Sequence, residues 1–510
     1  MRNKWTIAAV LLVLISGAGI YFATRKVHDN WEPLARQRLI EYLEQRFNAS
    51  VTIGQLDFAH LGNTRITATG RNFRLHLNRR TDTPPFITFD ELHITADLGV
   101  LYQGERTIEE IRIKGLRVML PPRESRPKVE ASQTPQQQPF LIRRIVADGA
   151  QLTILPSKPG KAPLEFELAQ LTLTSLTPGA PLVYNTTLTI PKPPGRVTAQ
   201  GRFGPWNTAD PRQTALDGVY DYRDADLGVF KGIDGTLAST GKFSGVLENI
   251  SASGECRVPN FSLTLSGNPV PLKVTYRARV DGSDGDTYLE PVLATLGATS
   301  FSATGHVIGE KGKPGRDIDL NVDIPNGELK DLLRLALKGN NTFLTGRVKL
   351  SSRVHVPRGD DNVIDKLTLN GRFEIRDANF TSATIQDKID SLSQRGRGRP
   401  KDPSIDNVPA SFRGNFAMAN ARLAFKPVIF VVPGALVDLN GSYDVHQGEL
   451  DFHGSLNLAA SMSNTFSGWK RWALKPFNPI FSKNEVGTYL PIKITGPKDD
   501  PQFGLDRKKN

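Results

Sequence analysis

The chain has 510 residues with 45 glycines and 35 prolines, a composition that favours many turns and short strands. Its 64 Lys and Arg against 52 Asp and Glu leave a formal charge of +12, which suits an anionic partner such as a membrane surface or nucleic acid. The single cysteine, Cys256, excludes an intramolecular disulfide and any multi-cysteine metal or iron–sulfur site within one chain.

Residues 1–27 read as a membrane anchor. Trp5 to Phe22 is an uncharged apolar run, about 27 Å long as a helix, with Arg2 and Lys4 before it and Arg25 and Lys26 after it. Trp5, Tyr21 and Phe22 stand where interfacial aromatics belong, and an uncleaved single span places the N-terminus in the cytoplasm and the rest outside it. A cleaved signal peptide is the competing reading, since Ser16 to Gly19 offer a small-residue cleavage site.

Residues 28–49 form an amphipathic helix. Asp29 and Asn30 supply an N-cap, Pro33 suits the first turn, and Trp31, Leu34, Leu39, Tyr42, Leu43 and Phe47 share one face. The helix is expected to cap the end of the sheet that follows; lying in the membrane interface is the alternative.

From Val51 onward the dominant period is two, as in a half-buried strand. In NFRLHL, Phe73, Leu75 and Leu77 point one way and Arg74 and His76 the other; in FITFDELHIT, Ile87 and Phe89 alternate before a shift to Leu92 and Ile94. The same grammar runs nearly to the C-terminus and predicts a mainly β chain: an elongated, twisted, mostly antiparallel sheet curled into a groove, with a few short capping helices. A degenerate repeat appears when IEEIRIKGLRVMLP (Ile108 to Pro121) is laid beside IRRIVADGAQLTILP (Ile142 to Pro156).

This divides the chain into a β region over 50–120, a Pro/Gln-rich flexible loop over 121–140, and a central β region over 141–393. A basic flexible loop over 394–409 and a C-terminal β region over 410–510 follow. Helices are predicted in ELKDLLRLALKG, with Leu329, Leu332, Leu333, Ala336 and Leu337 on one face, and in IQDKIDSLS, where Ile385, Ile389 and Leu392 have helical spacing.

No motif for catalysis, cofactor binding or metal binding emerges. The eight histidines form no HExxH or close HxH pair, and there is no GxSxG elbow, Walker loop or dinucleotide fingerprint. Asp281, Asp284 and Asp286 lack the spacing of a calcium loop and read as a hairpin turn. RGRGRPK (Arg395 to Lys401) resembles a minor-groove hook, but it stands once in a chain sent to a membrane, so it reads as a solvated basic loop and not as a nucleic-acid site.

The single N-terminal span, amphipathic helix and long run of alternating strands resemble the AsmA-like proteins of the Gram-negative cell envelope, the family that includes the AsmA and TamB types. The segments Gly201 to Glu255 (GRFGPWNTADPRQ onward) and Pro259 to Leu296 are similar to the middle of that family. The stretch Lys366 to Asp506, through FVVPGALVDLNGSYDV to GTYLPIKITGPKDDPQFGLD, is similar to its C-terminal region. Gly204, Pro205 and Trp206, and Pro433 and Gly434, are the family-like turns.

The resemblance implies a non-enzymatic protein of the inner membrane, facing the periplasm, that acts in outer-membrane biogenesis and phospholipid transport. Phospholipid, the inner membrane and other envelope proteins are its expected partners. Acyl chains would lie against an aliphatic lining of Phe73, Leu75, Leu77, Ile87, Phe89, Ile111, Ile113, Val118, Leu120, Leu152, Ile154, Phe166, Leu168, Leu171 and Leu173. If opposing sheets instead close over these positions, the protein is an envelope assembly scaffold that binds protein partners. A periplasmic hydrolase would need a carboxylate or histidine cluster assembled in space.

Overall fold

The structure, a computed structural model, describes residues 36–37, 39–41, 43–44, 49–61, 65–77, 79, 81–82, 84–97, 107–120, 141–154, 164–176, 180–191, 193–205, 213–246, 249–281, 285–309, 315–339, 342–400, 402–459, 488–498 and 500–506. The expected span from Trp5 to Phe22 lies outside these residues; among them, no helix is long and apolar enough to cross a membrane.

The chain is mainly β. The first strands are β1 (Ala49–Thr52), β2 (Gln55–Leu61), β3 (Arg65–Leu77), β4 (Ile87–Asp97), β5 (Thr107–Lys114), β6 (Arg117–Leu120), β7 (Leu141–Ile154), β8 (Leu164–Leu176) and β9 (Leu182–Pro191). Then come β10 (Pro194–Phe203), β11 (Ala215–Asp226), β12 (Ile233–Asp234), β13 (Thr236–Val246), β14 (Asn249–Val258), β15 (Ser262–Leu263), β16 (Leu272–Val280), β17 (Thr287–Leu296) and β18 (Thr299–Gly309). The series ends with β19 (Arg316–Glu328), β20 (Leu344–Val356), β21 (Thr368–Phe380), β22 (Ala410–Ala419), β23 (Arg422–Val432), β24 (Ala435–Asp444), β25 (Glu449–Leu458), β26 (Thr488–Pro497) and β27 (Gln502–Leu505). All but β12 and β15, which pair with each other, belong to one 25-stranded sheet.

From β7 to β27 each strand of this sheet pairs antiparallel with the next, the arrangement that short turns permit. The exception is at the repeat. β5 and β6 together run parallel to β7, with Ile108 opposite Ile142, Ile113 opposite Ala147 and Leu120 opposite Ile154, a constant offset of 34 residues. The two repeat copies therefore lie side by side in matched register. Parallel neighbours need a crossover, and the segment 121–140 between β6 and β7 supplies its length.

Both copies kink at the same place. Gly115 and Gly149 have φ of 63° and 65°, and Asn72 on β3 has φ of 56°. In a strand, one residue out of the extended region switches which alternate side chains face the core. Asn72 and Gly115, on the two sides of β4, stand at the level where its own buried positions shift from Ile87 and Phe89 to Leu92 and Ile94, and all four are buried in one cluster.

Two apolar clusters mark the two ends of the sheet. The first joins β1 to β5, β7 and β8 with the helical residues 36–37, 39–41 and 43–44, whose Leu39 and Leu43 are 1% and 0% exposed. The second joins β20 to β26 with two helices, Leu329–Ala336 and Ala383–Gly396. These helices pack Leu332, Leu333, Ile389 and Leu392 against the sheet, as their spacing predicts.

The segment 394–409 differs from the flexible basic loop expected of its composition. Gln394 Nε2 donates to the carbonyls of Asp402 and Ile405 at 3.1 Å, and Ile405 and Val408 are buried in the second cluster. The carboxylate of Asp390 accepts from the backbone N–H of Asn407 at 3.0 Å and of Val408 at 2.9 Å, and from Gln386 Nε2 at 3.0 Å. Two apolar anchors and one buried carboxylate fix the segment although arginines, glycines and prolines fill its start.

Candidate lipid-binding face

Cα partners in a ladder share a face, so the register traces one face across the sheet. Phe73 lies opposite Phe89, Leu75 opposite Ile87, Ile87 opposite Val118, and Val118 opposite Leu152, which lies opposite Phe166. Ile111 reaches Leu173 through Ile145, and Ile113 reaches Leu171 through Ala147. Ala150 lies opposite Leu168. The expected lining residues thus share a face, with Leu77, Leu120 and Ile154 at register positions on it; the side chains of those three lie outside the described residues.

Their exposure is graded. Phe73, Leu75, Ile87, Phe89, Ile111, Ile113 and Val118 are buried, and the rings of Phe73 and Phe89 stack at 4.6 Å and 3°. Leu39 and Leu43 of the helical residues share a cluster with all of these but Val118, so at β3 to β5 these positions are core and differ from the open lining expected there. From the end of β7 onward the seal weakens. Leu152, Phe166, Leu168, Leu171 and Leu173 are half-buried.

The apolar face continues beyond the expected residues. Leu188, Val197, Leu216, Phe243, Ile250, Leu289, Leu320 and Val354 occupy it, and all except the buried Val197 are half-buried. Among the described residues, neither apolar cluster includes a side chain between Leu176 and Leu329. Between the two sealed ends this face is therefore mixed: the positions just named are mostly half-buried, and Ala278, Val292, Ala294, Leu296 and Ala303 are buried.

This surface also carries tyrosines over glycines. A methyl on Gly241 would come within 2.8 Å of the Tyr220 ring, so the ring lies directly on the neighbouring backbone. The Tyr220 hydroxyl contacts those of Ser239, at 2.9 Å, and Tyr276, and Ser239 donates to the Glu255 carbonyl at 3.0 Å. Burial pushes the Tyr184 phenol up to about 12 and the Tyr276 phenol well above its ordinary value. Cys256 is half-buried beside Ser239, and its thiol too is pushed up by burial, which disfavours the reactive thiolate.

The opposite face is polar. Arg202 pairs with Asp217 at 3.0 Å, Arg257 and Lys273 flank Glu255, and Arg353 holds Asp319, whose carboxyl lies below its ordinary value because of that hydrogen bond. The described histidines that make ion pairs each meet carboxylates: His93 with Glu91, His355 with Asp317, His446 with Asp365, and His453 with Asp451 and Asp506. Among the described residues, no group of three or more His, Cys, Asp or Glu side chains is placed to hold a metal ion. Asp286, expected in a hairpin turn, accepts from Gly309 N at 2.7 Å and pairs with Arg316 at 3.5 Å.

The two family-like turns join strands. Gly204 and Pro205 follow β10 and are linked by a cis peptide bond, and Trp206 lies outside the described residues. Pro433 and Gly434 connect β23 to β24, and the Pro433 carbonyl accepts from Ser393 Oγ at 2.8 Å, which docks the turn on the Ala383–Gly396 helix.

Comparison with known proteins gives no identification. No family model, curated protein or solved structure matches the chain.

Proposed function

We propose that the chain is an AsmA-like protein, held in the inner membrane by Trp5 to Phe22 with its bulk in the periplasm. Phospholipid acyl chains rest on the central apolar face, where the sheet curls into a groove, and the protein assists lipid transport and outer-membrane biogenesis. The observation that carries this reading is the largely half-buried apolar face over β8 to β20, which the register connects between two sealed ends. Each methylene moved from water onto such a surface contributes about 0.8 kcal/mol, so a partial acyl chain offsets much of the cost of leaving a bilayer while its head group stays wet. No catalytic residue is required.

The sealed ends favour a second reading, an envelope assembly scaffold with a closed β core that binds protein partners. One experiment separates them. The full chain is purified in mild detergent beside a variant with Leu188→Gln, Leu289→Gln and Leu320→Gln, and co-purifying lipid is identified by mass spectrometry. Phospholipid at near-stoichiometric amounts in the wild type and its loss in a still-folded variant support the lipid reading. A lipid-free, well-folded wild type supports the scaffold.

A further inference from the structure

The polar face carries a trough that the lipid reading does not use. A cavity of about 1210 Å³ runs across the strands from β8 to β17, between two rows of side chains. One wall is Asn185, Gln200, Val219, Lys242, Ser253 and Arg277, each the ladder partner of the next. The other wall contains Val183, Arg202, Asp217, Ser244 and Ser251, joined in the same way. Between them the floor is the backbone of the row running from Tyr184 through Gly201 and Gly218 to Ala252, whose side chains belong to the apolar face.

The dimensions select the occupant. The walls stand two residues apart along each strand, about 7 Å, and the trough crosses eight strands, about 34 Å. That admits one extended chain and excludes an α-helix, which is about 10–12 Å across with its side chains. The floor's N–H and C=O groups are engaged in the ladder, so recognition falls to the walls, and this disfavours an extended peptide, which binds a sheet through free backbone groups at an edge.

The first wall is unusual for this face, whereas the second carries the Arg202–Asp217 ion pair. Elsewhere its charges are cancelled across strands, as in Arg353 with Asp319 and Lys273 with Glu255. Among the described residues, Asn185, Gln200, Lys242, Ser253 and Arg277 make no side-chain hydrogen bond or ion pair, although they lie in one row broken only by Val219. Lys242 and Arg277 flank Ser253 two strands apart, roughly 10 Å, with no carboxylate between them, and Glu290 on β17 lines the far end of the trough. Val183 and Val219, 40% and 47% exposed, add apolar surface at the rim. Amides, hydroxyls and spaced cations beside small apolar patches match a polymer that is rich in hydroxyls, has C–H faces and carries periodic negative charge.

We infer that this trough binds a single extended strand of an anionic glycan, with Lys242 and Arg277 meeting its acidic groups and Asn185, Gln200 and Ser253 meeting its hydroxyls.

The test uses the full chain in detergent and measures binding calorimetrically to a ten-unit oligogalacturonate. Comparison ligands are a neutral malto-oligosaccharide of equal length, inorganic polyphosphate and poly-glutamate. The inference expects the oligogalacturonate to bind at least tenfold more tightly than each of the other three. It also expects Lys242→Gln with Arg277→Gln to weaken binding at least tenfold, while circular dichroism and co-purifying lipid stay unchanged. A Ser253→Ala variant, which keeps both cations, should give a smaller but measurable loss. Polyphosphate or poly-glutamate binding as tightly as the sugar acid would reduce the trough to a generic anion site and overturn the inference. So would an unaltered affinity in the double variant, or no binding of the oligogalacturonate.

Discussion

Gly396, the last residue of the helix over the second cluster, and Gly434, in the turn between β23 and β24, lie backbone against backbone: a methyl on Gly434 would come within 2.6 Å of the Gly396 carbonyl carbon. Gly434 also has φ of 88°, where any other side chain is strained. Gly434→Ala should cost about 3 kcal/mol, combining about 1–2 kcal/mol of left-handed strain with an overpacking penalty of similar size. Gly448, with φ of 72° and open space where a methyl would stand, is the control: Gly448→Ala should cost only the strain, about 1 kcal/mol. Urea unfolding midpoints of the two variants read the difference, and equal losses would show that the helix and turn do not need to touch.

Asp390 fixes the basic segment by accepting from two backbone N–H groups while buried. Asp390→Ala leaves both donors without their partner and should cost about 3 kcal/mol. The local consequence is easier to read: trypsin should cut at Arg395 and Arg397 much faster in the variant. Asp390→Asn, which retains one acceptor oxygen, should fall between the two. An unchanged cleavage pattern in Asp390→Ala would mean that Gln394 and the buried Ile405 suffice to hold the segment.

His453 joins β25 to the end of β27. Its Nδ1 lies 2.9 Å from Asp506 and its Nε2 3.0 Å from Asp451, and the hydrogen bond with Asp506 leads the causes that raise its pKa above 6.5. Lys493 faces it from β26 and opposes its charge. Because the folded value is raised, the contribution to stability is fully present below about pH 6.5 and fades as pH climbs through the folded value. The ring is half exposed, so solvent limits the effect to at most about 1 kcal/mol. Amide exchange in β27 should therefore quicken as pH rises above about 6.5, beyond its intrinsic pH dependence, and His453→Ala should abolish that excess; an excess of the same size in the variant would assign the effect elsewhere.

Much of the fold was legible because burial on one face imposes a period of two on aliphatic residues, and helix packing imposes its own spacing on Leu332, Leu333, Ile389 and Leu392. The central face was harder to read. There the alternating positions hold Gly201, Gly218, Tyr220, Gly241 and Ser239 in place of aliphatic residues, so the predicted lining stops at Leu173 although the face goes on to Val354. The repeat was visible, but its parallel pairing was not, since a crossover's direction leaves no mark on the strands it joins. The hold on 394–409 was hidden for a different reason: it depends on Asp390, whose carboxylate is indistinguishable in sequence from a solvated one.

The 34-residue offset between β5 with β6 and β7 has a consequence for size. With β1 and β2 sharing one side of β3, and β5 and β6 one side of β7, the sheet has 23 positions across its ladder, about 105 Å at the usual strand spacing. A unit that stacks in register on its own copy can be copied again without disturbing either end, each addition lengthening the sheet by about 5 Å. The molecule is in that sense a ruler, and gene duplication can change its graduation while the sealed ends and both faces keep their chemistry.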